Sequence, residues 1–147
     1  MEKLIKYLIR FYNDIQAKLT SYPISHLPLR KVDIQPIIMI PGSSATENRF
    51  NKMVQKLNHG QHPHHSLIRI KVWNDGRMTY RGHLKRKDRT PIFVIGFQNN
   101  RDGYKNIKKQ AAMFNAAITI LREKYPFTSF KGLGHSNGGL VYTVFLQ

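Results

Sequence analysis

The sequence contains no cysteine among its 147 residues. Disulfide frameworks and thiolate metal sites are therefore excluded, while the compartment stays open between the cytoplasm and the cell surface. The sequence also lacks any apolar run near the roughly 20 residues that cross a bilayer. Charged residues interrupt the N-terminal segment at Lys3, Lys6, Arg10, Asp14 and Lys18, so it lacks the continuous apolar region of a signal peptide. Neither a membrane span nor a clear signal peptide is expected.

Acidic residues are scarce. The chain has 8 of them against 24 lysines and arginines, which gives a net charge of +16. Such an imbalance predicts attraction to polyanions. The densest basic segment runs from Arg81 to Arg89 and contains one acid, Asp88. It is either a patch that binds an anionic surface, such as a membrane or wall polymer, or a solvated loop. Because no aromatic-interleaved nucleic-acid motif accompanies it, nucleic acid is not the expected partner.

Two regions are predicted along the chain. Residues 1–35 combine an amphipathic helix with a proline-containing connection. The helix has apolar residues spaced by three and four, and could dock on the domain or lie on a membrane surface. Its apolar positions are Leu4, Leu8, Phe11, Ile15 and Leu19. Residues 36–147 are predicted to belong to a single domain.

Strand patterns recur through this second region. The wholly apolar runs at residues 36–40 and 91–97 are typical of strands buried on both faces of a parallel sheet. Between them, Asn74-Asp75-Gly76 predicts the turn of a hairpin whose return strand covers residues 77–84. Residues 127–133 are predicted to form a further strand.

Helix patterns alternate with these strands. Ser44 and Glu47 match a capping box, which predicts a helix that begins there. A second helix is predicted from residues spaced by four and three, and a third begins near Leu140. The second helix has its apolar positions at Ile107, Ala111, Phe114, Ile118 and Leu121. Alternating apolar strands and amphipathic helices predict an α/β fold, with a mainly parallel sheet covered by helices on both faces.

The segment Gly134-His135-Ser136-Asn137-Gly138 fits the pattern G-x-S-x-G, and it lies between a predicted strand and a predicted helix. This is the setting of a nucleophile elbow. The small residues Gly134 and Gly138 would let strand and helix approach closely, which would expose Ser136 as a nucleophile. The backbone N–H of Asn137 would then face the developing oxyanion at the helix N-terminus. An inert serine in a glycine-rich turn is the alternative.

A second oxyanion donor is expected in the loop after an earlier strand. Pro41-Gly42 precedes Ser43 and Ser44 at that place, so the N–H of either serine could complete an oxyanion hole. His135 is not expected to be the base, because an elbow directs it away from Ser136. The histidines around Gly60 and Pro63 include no carboxylate, so neither a metal nor a cofactor is predicted.

With these segments in place, the sequence resembles the DUF915 group of α/β hydrolases, cell-surface hydrolases of low-GC Gram-positive bacteria. The resemblance rests on segments that together cover about residues 37–147. They are Pro41-Gly42 through Asn48-Arg49-Phe50, the Asp75-Gly76 hairpin, residues 91–100 with Phe97 and Asn100, and Gly134 through Leu140. It implies an esterase- or lipase-like hydrolase of small or lipid-like acyl substrates, with Ser136 as nucleophile.

One departure from this fold's pattern stands out. The triad order is serine, acid, histidine, yet the residues after Ser136 contain no Asp, Glu or His. The sequence therefore predicts an α/β-hydrolase domain that is incomplete at its C-terminus, with acid and base beyond residue 147. The sequence would then be either a fragment or a truncated, weakly active or inactive product. A non-catalytic basic module that binds nucleic acid or an anionic envelope polymer is the alternative function.

Overall fold

A computed structural model describes residues 33–60 and 64–147 of the chain. Five strands form one sheet in the order β3-β2-β4-β1-β5. They are β1 (Ile37–Ile40), β2 (Leu67–Val72), β3 (Met78–Arg81), β4 (Ile92–Phe97) and β5 (Lys131–Gly134). All neighbours pair in parallel except β2 and β3, which form an antiparallel hairpin. The predicted α/β class with a mainly parallel sheet is confirmed.

Three helices accompany the sheet: α1 (Asn51–Asn58), α2 (Tyr104–Lys124) and α3 (Asn137–Phe145). The side chains of β1 point alternately to the two faces of the sheet, and their contacts show which helices cover each face. Ile38 and Ile40 join the core with α2 and α3, whereas Met39 joins a second cluster with Phe50 and Val54 beside α1. Because successive strand residues point to opposite faces, α1 covers one face and the other two helices cover the opposite one.

Aromatic rings fill the larger core. Phe114 on α2 is fully buried, and its ring lies 5.1 Å from that of Tyr142 and 4.8 Å from that of Phe145, both on α3. Both contacts are edge-to-face, which is the favoured geometry of aromatic pairs. These contacts fix α3, and with it the turn that precedes α3, against the long helix α2.

Three predicted elements differ from those observed. The strand predicted for residues 127–133 begins only at Lys131, because Phe127 N–H donates to Tyr125 O and its ring packs on Phe93 instead of pairing with β1. The return strand of the hairpin ends at Arg81, before Gly82 with its φ of +101°. The helix predicted to begin at the Ser44–Glu47 capping box is present but begins later, at Asn51, after turns at residues 43–44 and 47–50.

The N-terminal helix predicted within residues 1–35 lies outside the described residues, apart from the end of its connection. Within the part of the chain that the structure describes, none of the helices is both long and apolar enough to span a membrane.

Candidate active site

The turn between β5 and α3 holds Ser136 in an unusual backbone conformation, with φ 53° and ψ −121°. Among the described residues, only Ser136 and Ser44 are non-glycine residues with positive φ. Such conformations cost about 1–3 kcal/mol and persist where the surrounding structure determines them. Ser136 is exposed at the N-terminus of α3, which is the position where a helix favours developing negative charge.

Close backbone packing accounts for the glycines of this turn. A Cβ atom on Gly134 would lie 2.5 Å from the carbonyl carbon of Gly138. On Gly138 itself it would lie 2.1 Å from Ile40 O, at the end of β1. The structure therefore places the two predicted elbow glycines where no larger residue fits without a shift of the backbone.

The loop after β1 lies directly against this turn. A Cβ atom on Gly42 would lie 3.1 Å from both Ser136 Cβ and His135 O. His135 N–H also donates to Ile40 O, over 3.0 Å. Parallel pairing of β1 with β5 explains the proximity, because the carboxyl ends of both strands meet at one edge of the sheet.

The three predicted oxyanion donors differ in their hydrogen bonds. Ser44 N–H donates to Asn100 O, 2.9 Å away. Within the described ranges, the N–H groups of Ser43 and Asn137 donate to no protein acceptor. The free N–H groups on the two sides of Ser136 can donate hydrogen bonds to an anionic oxygen, which favours Ser43 over Ser44 as the second predicted donor.

The loop between β4 and α2 forms hydrogen bonds with both the loop after β1 and the start of α3. Asn100 accepts from Ser44 and donates its amide to Ala45 O over 3.0 Å. Asp102 Oδ1 accepts from the side chain of Asn137 over 3.1 Å and from Gly103 N–H over 2.7 Å. The loop after β1 and the first residue of α3 are thus both hydrogen-bonded to the loop between β4 and α2. The sequence analysis did not single out Asp102. The feature that could have indicated it is the polar segment directly after an apolar strand.

An open groove of about 1150 Å³ runs along Ser136, the loop after β1 and one side of α1. Gly42, Ser43, Ser44 and His135 contribute to its wall, and both residues with strained backbones border it. Arg49, Lys52, Met53 and Lys56 line the side formed by α1 and the turn before it. The groove therefore gives access to Ser136 and to the loop that carries Ser43.

No histidine among residues 33–60 and 64–147 hydrogen bonds to Ser136. The imidazole of His65 instead contacts Thr90, with Nδ1 lying 2.6 Å from the carbonyl oxygen and 3.1 Å from Oγ1. Among the described residues, the predicted nucleophile Ser136 therefore has no histidine paired with it as a general base.

Comparison with known proteins relates the chain to the α/β-hydrolase fold. Residues 25–147 match the family model of an α/β hydrolase of unknown function, DUF915. A solved structure of a proposed cell-surface hydrolase from Lactobacillus plantarum WCFS1 is similar, with 45% identity and a TM-score of 0.71 over 78% of this chain and 46% of that chain. A Listeria innocua gene product has 30% identity and a TM-score of 0.66, over 77% and 44% of the two chains. Among curated proteins, none matches. The chain thus spans less than half the length of either solved structure.

Proposed function

Because the chain belongs to the DUF915 family of α/β hydrolases, we propose that it carries the nucleophile and oxyanion hole of a serine hydrolase acting on carboxylic esters. One observation carries the proposal. Ser136 is exposed, in a strained turn between a parallel strand and a helix, and both flanking glycines are required by backbone packing. An inert serine has no need of this conformation, since an ordinary strand-to-helix turn forms without strain.

In the proposed reaction, Ser136 Oγ attacks the ester carbonyl carbon and loses its proton to a general base. The carbonyl oxygen gains the negative charge, and the N–H groups of Asn137 and Ser43 stabilise it. Collapse of this intermediate breaks the bond to the alcohol, which takes up the proton and leaves an acyl-serine. Water then releases the acid by the same steps. The base and its acid partner are assigned to the part of the longer relatives that this chain does not span.

The test is covalent labelling by a fluorophosphonate, which reacts with an activated serine. A chimera carries residues 25–147 of this chain in place of the matching segment of the Lactobacillus plantarum relative, and so contains the remainder of the longer fold. We expect the chimera to be labelled and its Ser136→Ala variant to remain unlabelled. Ser129→Ala, which removes another exposed serine, should label like the parent. Labelling that survives Ser136→Ala, or its absence from a chimera with native circular dichroism, would contradict the proposal.

A second candidate function is binding to an anionic surface, and the segment Arg81–Arg89 favours it. Its one acid, Asp88, is buried, and it accepts hydrogen bonds from the backbone N–H groups of Ser66 and Thr90. The exposed side of the segment is therefore cationic throughout. Binding to anionic vesicles that weakens with salt, and that is lost when Lys85, Arg86 and Lys87 are changed to Gln, would support this function. Equal binding to neutral vesicles would oppose it.

A further inference from the structure

The groove beside Ser136 is positively charged. Arg49, Lys52 and Lys56 border it, and none of the described residues that line it is acidic. Glu47 is the sole acid between Gly42 and Lys56. It lies against β4, since a Cβ atom on Gly96 would be 3.1 Å from Glu47 Oε2.

None of the acidic residues in the described part of the chain forms an ion pair with these three cations. Within residues 33–60 and 64–147, the one ion pair joins Asp75 to Arg77, far along the chain from the groove. Charges that have no partner in the folded chain remain available to a ligand, and each is exposed enough to reach one.

The arrangement on α1 is unfavourable for the helix itself. Lys52 and Lys56 are four residues apart, so their like charges lie on the same face and repel each other. The first turn of α1 contains no acid to offset them. Met53 lies beside Lys52 along the same groove and is 41% exposed. Lys56 lies in the last turn of α1, where a cation is favourable, but Lys52 lies in the first turn, where it is not. A surface of cations with one apolar side chain fits an amphiphilic anion.

We propose that the ester cleaved at Ser136 carries a phosphate group, which Arg49, Lys52 and Lys56 hold while the carbonyl lies at Ser136. This inference rests on the proposed function. Phosphate is an anion that several cations along one groove recognise well, and a guanidinium binds it through two parallel hydrogen bonds. The apolar surface of Met53 is then available to the acyl chain. The phosphate ester can be a soluble molecule or the headgroup of a membrane lipid.

Binding by the chain with Ser136→Ala tests this without requiring turnover. Isothermal titration compares monomeric dihexanoylphosphatidic acid with monomeric dihexanoylglycerol, which has the same esters and no phosphate. The groove variant changes Arg49, Lys52 and Lys56 to Gln. The matched control changes the exposed Lys105, Lys109 and Arg122 on α2 to Gln, so both variants lose the same charge. Vesicles of anionic phospholipid form a third arm, which distinguishes the lipid source from the soluble one.

We expect the phosphatidic acid to bind, with the affinity lowered about tenfold in the groove variant and by less than twofold in the control, because each exposed ionic contact contributes a factor of about two to five. Vesicle binding that is equally sensitive to the groove variant would identify a lipid headgroup as the source. Equal losses in both variants, equal affinity for dihexanoylglycerol, or binding to vesicles alone would overturn the proposal. Since titration needs no nucleophile, its failure is distinct from a failure of fluorophosphonate labelling.

Discussion

The side-chain amide of Asn137 donates a hydrogen bond to Asp102 Oδ1, 3.1 Å away. Asn137 is buried, whereas Asp102 is exposed in the loop after β4. The bond therefore attaches the first residue of α3, which provides one of the two free N–H groups, to a loop that also holds Ser44 through Asn100. Through this loop, the two sides of the proposed oxyanion hole are positioned together.

Asp102→Ala should weaken both stability and reaction. It leaves the buried amide of Asn137 without its acceptor, so the free energy of unfolding should fall by about 1–2 kcal/mol. Fluorophosphonate labelling of the chimera should slow about tenfold, as expected when one oxyanion donor is less well held. Asp33→Ala is the control, because it removes an exposed carboxylate that has no hydrogen bond in the described part of the chain. It should change neither stability nor labelling. Loss of stability in Asp102→Ala without slower labelling would show that the bond is only structural.

Two adjacent glycines provide a matched pair. A Cβ atom on Gly138 would lie 2.1 Å from Ile40 O, whereas on Gly139 its nearest neighbour would be Gly134 O at 3.8 Å. Gly138→Ala should therefore destabilise the fold by about 3 kcal/mol or more. Gly139→Ala should stabilise it by about 0.5–1 kcal/mol, because alanine favours a helix. Urea denaturation of the two variants checks this, and similar values for both would contradict the packing at the turn.

Much of this architecture could be predicted from local sequence patterns. The apolar runs at β1 and β4 predicted buried parallel strands, since few other settings bury four to six consecutive apolar residues. The hairpin followed from Asn74-Asp75-Gly76, where Gly76 has a φ of +86°. The G-x-S-x-G segment gave the strand–turn–helix placement of Ser136. Each of these signals is local, and tertiary contacts reinforced it.

Other features depend on contacts between distant segments. The capping box at Ser44 predicted a helix that does not form there, because Ser44 N–H bonds to Asn100 and its φ of 59° is left-handed. The same bond favours Ser43 over Ser44 as the proposed oxyanion donor. The cationic groove could not be predicted from the sequence, because folding brings α1 beside a turn that lies about 80 residues later in the chain.

Asp88 anchors the basic segment from within. Its carboxylate is buried and accepts from two backbone N–H groups, those of Ser66 and Thr90. Asp88→Ala leaves both donors unsatisfied, and hydrogen bonds to a charged group are stronger than neutral ones, so we expect a loss of about 2–4 kcal/mol. Asp75→Ala removes an exposed pair with Arg77 and should cost much less stability than Asp88→Ala, because solvent screens exposed pairs. Thermal and urea unfolding measure the stability of both variants. Equal losses of stability would mean that the hydrogen bonds of Asp88 do not hold the basic segment in place.

Tyr142 should make stability depend on alkaline pH. Its hydroxyl donates to Ile38 O over 2.7 Å, and a glycine at position 132 leaves room for the ring beside β5. Burial raises the pKa of Tyr142 well above its ordinary value of 10.0. Above that pH the unfolded chain loses the proton while the folded chain keeps it. The folded state then binds more protons, so stability falls as pH rises.

Tyr142→Phe isolates this contribution. At neutral pH the variant should be about 1 kcal/mol less stable, because Ile38 O loses its hydrogen-bond donor. As pH rises above 10.0, the parent should lose stability relative to the variant by up to about 1.4 kcal/mol per pH unit. Comparing the two proteins by urea denaturation cancels the effect of lysine deprotonation, which both share. Tyr104→Phe, which removes an exposed hydroxyl, is the control. If the difference between parent and Tyr142→Phe stays constant across this range, Tyr142 ionises equally in both states and its hydroxyl is not buried as described.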